Sequence, residues 1–288
     1  MALSTTDRNH QLLSAVTRTS RDPAELLACL KEHGICVVPS YYDRAFVDTL
    51  RRECEARIEV PEDTNFPDGS YRRVDAYRGT AAAPNERVYH VDCFSQNGDR
   101  FKQDPTLKRV GSDYYGSPHS VHVCMYERHR YQEIPVRGFH VDTFECSTYK
   151  VMLYLSDVAE QDGPTSYIPG THTNAELRRK KQEVWGPAVS PGDPSGKPHP
   201  TNFTDAELGL LLEQHTLVTG PRGTIVLFDT WGVHKGVSPE QGRTRHVLVS
   251  YYREGANLSR SNFGFDAQAD YQRYAVDYKR HLRSPGAR

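Results

Sequence analysis

His140-Val141-Asp142 sets an imidazole and a carboxylate two positions apart. On a β-strand alternate side chains share a face, so this spacing predicts that both groups look into the same space. A second imidazole, His234, follows far along the chain. Two histidines and one carboxylate on a shared face form the donor set that holds Fe(II) at three positions and leaves the opposite ones open to a co-substrate and O2. Arg245 lies beyond His234, and a guanidinium there can clamp the carboxylate of a keto acid through two parallel hydrogen bonds.

An isolated HxD carries little information, and the chain holds a second copy, His90-Val91-Asp92. The residues downstream tell the two copies apart. After His140 come an apolar strand at Val151 to Leu155, a DGP turn, an IPGTH segment, and a glycine-led strand ending in Phe228-Asp229. His234 and then Arg245 on a last strand complete the series. After His90 the chain is polar and loop-like, so His90 reads as a structural or pocket-side residue.

The elements that must position these residues are legible in the punctuation. Asp22 caps a first helix, Pro23 opens it, Leu26, Leu27 and Leu30 form its apolar stripe, and Gly34 ends it. Ile35 to Val38 reads as a buried strand. A second helix is expected from about Asp43 to Ile58, with Phe46, Val47, Leu50 and Cys54 on one face. Strands are expected at Tyr71–Tyr77, Arg87–Phe94, Ser120–Tyr126, Gly138–Asp142, Tyr149–Leu155, Thr165–Ile168, Thr216–Thr219, Gly223–Phe228 and Arg245–Tyr252, with a short helix at Pro105–Gly111. Short strands with Gly/Pro turns between them argue for a sandwich or barrel. The long connection 174–215 carries a helix at Ala175–Trp185, a Pro/Gly-rich loop at 186–200, and a capping box, Thr204 with Glu207, for a further helix to about Gln214. It is a candidate lid over the barrel mouth or a plain surface excursion.

With 36 Lys plus Arg against 37 Asp plus Glu the net charge is −1. That balance gives no electrostatic case for binding nucleic acid or an anionic membrane. No apolar run approaches the ~20 residues of a membrane span, and Met1 to Ser20 lacks the apolar core of a secretory signal. The six cysteines make no CxxC pair, which argues against a zinc cluster or disulfide framework and for reduced thiols in a cytoplasmic protein. Cys146 is the one close enough to Asp142 in sequence to approach the site.

The ordered set HVD at 140–142, DGP and IPGTHT within 162–173, GTIVLFDTWGVHKG at 223–236 and RTRHVLVSYY around Arg245 resembles the phytanoyl-CoA dioxygenase (PhyH)-like family of Fe(II)/2-oxoglutarate-dependent oxygenases. The opening, a helix, a glycine, the strand-like ICVVPSYYD and a second helix, resembles it too. The resemblance runs from about Asp22 to Tyr252 and leaves out the 174–215 insertion and the C-terminal tail. It implies a mainly β protein with flanking helices and a double-stranded β-helix (jelly roll, cupin-like) core. The expected layout is one domain over 1–288: a helical part to about 70, a core at about 71–255 and a tail at 256–288. It implies His140, Asp142 and His234 as metal ligands and Arg245 as the residue that binds the distal carboxylate of 2-oxoglutarate. Fe(II), 2-oxoglutarate and O2 would serve to oxidise, most simply to hydroxylate, a small-molecule substrate, with release of succinate and CO2. In related halogenases a small residue replaces the carboxylate, so Asp142 disfavours halogenation. The family spacing favours Arg245 over Arg243, which shares its strand face.

Other outcomes remain open at this level: desaturation, cyclisation, epimerisation or demethylation by the same iron chemistry, a catalytically silent jelly roll that binds a ligand, or a zinc-type cupin, for which Arg245 would have no use. Trp231 either walls the pocket or packs in the core. His172 is expected to brace the PGTH turn. Tyr126, Arg128, Arg137 and Lys150 could reach ligands but read more simply as exposed or rim groups. His122, His129 and His246 have no ligand spacing. The mixed tyrosine and arginine content near 71–77 is compatible with a polar or carboxylated substrate.

Overall fold

A computed structural model describes residues 5–61, 64–75, 85–116, 119–131, 138–142, 149–177, 179–180 and 201–254. The chain enters through helices α1 (Thr5–Val16) and α2 (Pro23–His33), strand β1 (Ile35–Val38) and helix α3 (Arg44–Ile58). The expected caps of α2 are present, Asp22 accepting from the Ala24 amide and Gly34 ending the helix at φ 76°, and Asp43 caps α3 by accepting from the Phe46 amide. Each satisfies amides or carbonyls that a helix end leaves bare. Then come β2 (Tyr71–Asp75), β3 (Asn85–Tyr89), α4 (Gln96–Lys102), α5 (Pro105–Tyr115), β4 (His119–Arg130), β5 (Tyr149–Tyr154) and β6 (Thr165–Tyr167). The strands β7 (Thr216–Val218), β8 (Ile225–Asp229), β9 (His234–Gly236) and β10 (Thr244–Glu254) complete the order.

All pairings of named strands are antiparallel and form two sheets, β1-β8-β5-β10-β4-β3-β2 and β7-β6-β9. The pairs β1-β8, β8-β5, β5-β10, β10-β4 and β6-β9 join strands distant in sequence, as a jelly roll requires, while β4-β3-β2 and β6-β7 pair in chain order. The large sheet is buried on both faces. Cys36, Val38, Cys124, Tyr126, Val151, Leu153, Leu227 and Leu248 pack with α2, α3, α4 and α5 through Leu26, Leu30, Val47, Leu50, Phe101 and Leu107. The alternate residues Ile35, Val37, Val123, Met125, Met152, Tyr154, Val226, Phe228, Val247 and Val249 face Tyr167 and Val218 of the small sheet. Double burial explains why β8 reads as the unbroken apolar run Ile225-Val226-Leu227-Phe228.

Strand β1, expected at Ile35–Val38, is an edge strand of the large sheet. Several expectations change. The strand expected to reach Phe94 stops at Tyr89, because His90 takes φ 57° and starts a 3₁₀ turn. Asp92 of that decoy motif pairs with Lys102. Gly138–Asp142 is not a strand. His140 makes isolated bridges to Asn202 on one side and His234 on the other. The helix at 205 runs only to Leu208 and continues as a 3₁₀ turn to Gln214. Helices α1 and α4 and strand β9 have no counterpart among the expected elements. The five described cysteines are free thiols. Cys146, Arg137, the 186–200 loop and the tail at 256–288 lie outside the described residues. Among the described residues no helix is long and apolar enough to cross a membrane.

Candidate functional site

Backbone pairing brings the two histidines together. The His140 amide donates to the His234 carbonyl at 2.9 Å and the His234 amide returns the bond at 2.9 Å. Directly opposed residues of such a pair project their side chains to one face, and the imidazole centroids lie 4.5 Å apart. On its other side this segment is zipped to the end of the 174–215 insertion. Val141 donates to Thr201, Phe203 donates to Phe139, and Phe203 and Leu208 pack with Phe139, Val141, Ile168 and Val233. Asp142 is anchored by its amide on the Thr230 carbonyl at 3.1 Å.

Each imidazole is fixed at its far nitrogen. His140 Nδ1 lies 2.9 Å from the Gly138 carbonyl and His234 Nδ1 lies 2.8 Å from the Gly232 carbonyl. A carbonyl only accepts, so both Nδ1 atoms carry the proton and both Nε2 atoms present a lone pair. Those Nε2 atoms stand 3.5 and 3.4 Å from Asp142 Oδ1. One donor atom from each residue lies within 4.8 Å of the others. Two neutral imidazoles and a carboxylate with oriented outer hydrogen bonds fit a first-row divalent metal.

The turn that delivers His234 depends on missing side chains. A Cβ on Gly232 would overlap Tyr167 Oη, and one on Gly34 would overlap His172 Nδ1. The Tyr167 hydroxyl faces the Gly34 and Asp229 carbonyls at 2.9 and 3.1 Å. Asp229 caps the Trp231 amide through Oδ1 and accepts from the Tyr114 hydroxyl through Oδ2. His172 braces this corner as expected, with Nε2 3.1 Å from the Lys31 carbonyl.

Arg245 is buried on the inward face of β10, 4 % exposed. Its Nη1 contacts the Gly163 carbonyl, and its Nε has no hydrogen-bond partner among the described residues. Burial works to lower its pKa, against opposing contributions from Tyr154 and Glu127. A buried guanidinium with an unmet donor fits a carboxylate ligand. Arg243, its rival in sequence, lies at the surface and pairs with Asp162 at 3.0 Å.

Sequence reasoning undervalues Lys150. It is not a rim charge: it shares the inward parity of Met152 and Tyr154, and its Nζ lies 2.8 Å from Asp142 Oδ2. Burial would raise the Asp142 pKa, but the Lys150 ammonium beside it holds the carboxyl well below its usual range. Burial likewise works against the Lys150 charge, and Asp142, together with Tyr251 and Glu127, outweighs it. A second inward cluster also escapes the sequence reading. Glu127 meets Arg87 at 2.7 Å and His129 at 2.9 Å, and the Arg87 guanidinium and the hydrogen bond to His129 hold it ionised against the pull of burial. Strict alternation along β4 and β5 is the available signal, since a charge in phase with Met125 or Met152 has to face inward. Tyr126 and Arg128 point the other way. Tyr126 bonds His246 in the helix-side core at 2.7 Å, and Arg128 pairs with Glu86.

Three comparisons bear on this geometry. The dioxygenase cdmA of Talaromyces verruculosus is 24 % identical over an alignment of 203 residues that covers 62 % of this chain and 66 % of that protein. The match therefore spans just under two thirds of its relative. Among solved structures, the epimerase SnoN, in complex with Fe3+, alpha ketoglutarate and nogalamycin RO, aligns with a TM-score of 0.58 at 17 % identity over 84 % of this chain and 90 % of that one. The non-heme alpha ketoglutarate dependent carbocyclase SnoK from nogalamycin biosynthesis aligns with a TM-score of 0.55 at 17 % identity over 79 % and 82 %. These structures share the jelly-roll fold with this chain. The family model for phytanoyl-CoA dioxygenase (PhyH) matches residues 30–247, well over half of the sequence, and the chain belongs to that family.

Proposed function

We propose that this chain is a single-domain Fe(II)- and 2-oxoglutarate-dependent dioxygenase that hydroxylates a small organic molecule, with succinate and CO2 as co-products. Family membership supports the class. The observation that carries the reading is the convergence of His140 Nε2, His234 Nε2 and Asp142 Oδ1 on one interior space, with a buried, incompletely satisfied Arg245 on the same inward face.

His140, Asp142 and His234 hold the metal, and Arg245 fixes the distal carboxylate of the keto acid. Fe(II) bound there, with O2 and the keto acid, supplies the oxidising power. The protein's share is position and dryness. The Gly138 and Gly232 carbonyls lock the imidazole tautomers. Met152, Val226, Phe228, Val247 and Val249 wall the interior with apolar surface, which excludes water from the reacting groups.

The test is succinate formation by purified protein with Fe(II), ascorbate and 2-oxoglutarate over a library of small substrates, read together with product mass. A gain of one oxygen supports hydroxylation. No succinate with any substrate, or succinate formation unaltered by His140→Ala, sinks the reading. A second outcome has specific support, because the two structural relatives above are described as an epimerase and a carbocyclase. Product unchanged in mass, or lighter by two hydrogens, would assign this chain to that kind of reaction.

A further inference from the structure

Lys150 occupies an interior wall position where its strand neighbour two residues on is Met152 and its cross-strand partners are Phe228 and Tyr251. An apolar residue would pack there without the cost of removing an ammonium from water. The ammonium has one carboxylate within ion-pair distance among the described residues, Asp142 at 2.8 Å. Its other close neighbours are aromatic faces, Tyr251 at 4.7 Å and Phe228 at 5.2 Å. Glu127, the other inward carboxylate, is engaged by Arg87 and His129. The two oxygens of Asp142 are thus divided: Oδ2 faces Lys150, and Oδ1 faces both imidazoles.

We propose that Lys150 sets the charge of this pocket, so that it disfavours a bare divalent metal and favours the metal together with a dianionic keto acid. The inference rests on the reading of His140, Asp142 and His234 as the metal ligands. In the metal-free protein the ammonium balances Asp142. A dication at Oδ1 meets a like charge on the far side of the same carboxylate, and that repulsion weakens binding of the metal alone. The keto acid then brings two negative charges into the field of the dication and the ammonium together, and the same lysine strengthens this second step. A purely orienting hydrogen bond would act on the metal step only. Unit charges several ångströms apart in a partly screened interior are worth about tenfold in affinity or more.

Lys150→Gln separates the two roles, since the amide can still donate to Asp142 Oδ2 but carries no charge. Lys150→Arg keeps the charge. Anaerobic calorimetry with Co(II), followed by 2-oxoglutarate into the Co(II)-saturated protein, reads both steps without turnover. The expected result for Lys150→Gln is Co(II) bound at least as tightly as in the wild type and 2-oxoglutarate bound about tenfold more weakly, with Lys150→Arg close to wild type at both steps. Should Lys150→Gln fail to fold, a Lys150→Arg protein that departs from wild type at either step by more than tenfold overturns the proposal, and agreement at both steps supports it. Weakened Co(II) binding with unaltered 2-oxoglutarate binding in Lys150→Gln overturns it, as does no change at either step. A wild type that takes up no Co(II) overturns the metal-site reading itself, and this proposal with it.

Discussion

Replacing Arg245 with methionine should move stability and co-substrate binding in opposite directions. The guanidinium is buried and, among the described residues, has a single carbonyl partner, with Nε left without one. It carries a desolvation cost that folding alone does not offset. Exchanging such an ion for an apolar side chain of similar length is neutral or stabilising, by about 1–4 kcal/mol in comparable cases. A gain of about 1 kcal/mol, or roughly 2–4 °C in Tm for a chain of this size, is expected for the metal-free protein. Binding goes the other way. A bidentate carboxylate contact comprises two charge-assisted hydrogen bonds of about 1.5–3 kcal/mol each. Their loss should weaken 2-oxoglutarate at least a hundredfold at about 1.4 kcal/mol per factor of ten. The assay is thermal and urea unfolding of the apo-protein beside anaerobic titration of 2-oxoglutarate into Ni(II)-loaded protein. Arg243→Ala is the control, because its half-exposed pair with Asp162 should be worth about 1 kcal/mol or less and nothing to the keto acid. An Arg245→Met protein that binds 2-oxoglutarate within threefold of wild type, or that loses several degrees of Tm, refutes the assignment.

His246 is buried, its Nε2 accepts from Arg51 and its Nδ1 meets the Tyr126 hydroxyl; burial, then Arg51 and Arg128, lower its pKa to about 3. The folded protein therefore resists a proton that the unfolded chain takes up near 6.5. Its contribution to stability is complete above about pH 6.5 and is lost as pH falls toward 3, and urea midpoints measured across that window should fall less steeply in His246→Gln. Gly232→Ala would drive a methyl into the Tyr167 hydroxyl, break its contacts with the Gly34 and Asp229 carbonyls and shift the carbonyl that orients His234. A loss of about 2–4 kcal/mol should appear in urea unfolding together with weaker Co(II) uptake, and wild-type values for both would show that the turn tolerates a side chain.

Sequence is most informative where a local rule acts without help from the rest of the fold. The caps at Asp22 and Gly34 are settled within a few residues of themselves, and each forms as expected. The apolar strands are legible because burial on both faces leaves few polar interruptions. The second histidine is found from the order of turns around it, and the geometry brings it opposite the first. The failures have a common cause. Helix α1 has little apolar periodicity and is held by contacts far away, such as Asn9 with Thr216 and Leu217. The HVD segment reads as a strand because alternation is the only reason visible in the sequence for its two groups to share a face. The bridge to His234 and the anchor of Asp142 on Thr230 supply that reason instead, and both belong to the tertiary fold.

The inward charges show why pairing, and not mere presence, points to function. Among the described residues of the barrel interior, Lys150 is matched to Asp142 and Arg87 to Glu127, so each of those cations has a reason to be there in the absence of any ligand. No carboxylate among the described residues lies within ion-pair distance of Arg245, which meets only the Gly163 carbonyl. A buried cation without a counter-charge costs stability at every moment the ligand is away. Among the described residues of the interior the fold tolerates that cost at Arg245, on the inward face that the two imidazoles and Asp142 also look onto. An anion that completes Arg245 at one end and meets a metal at the other satisfies both deficits with one molecule, and a short dicarboxylate bearing a ketone next to one carboxyl has that shape.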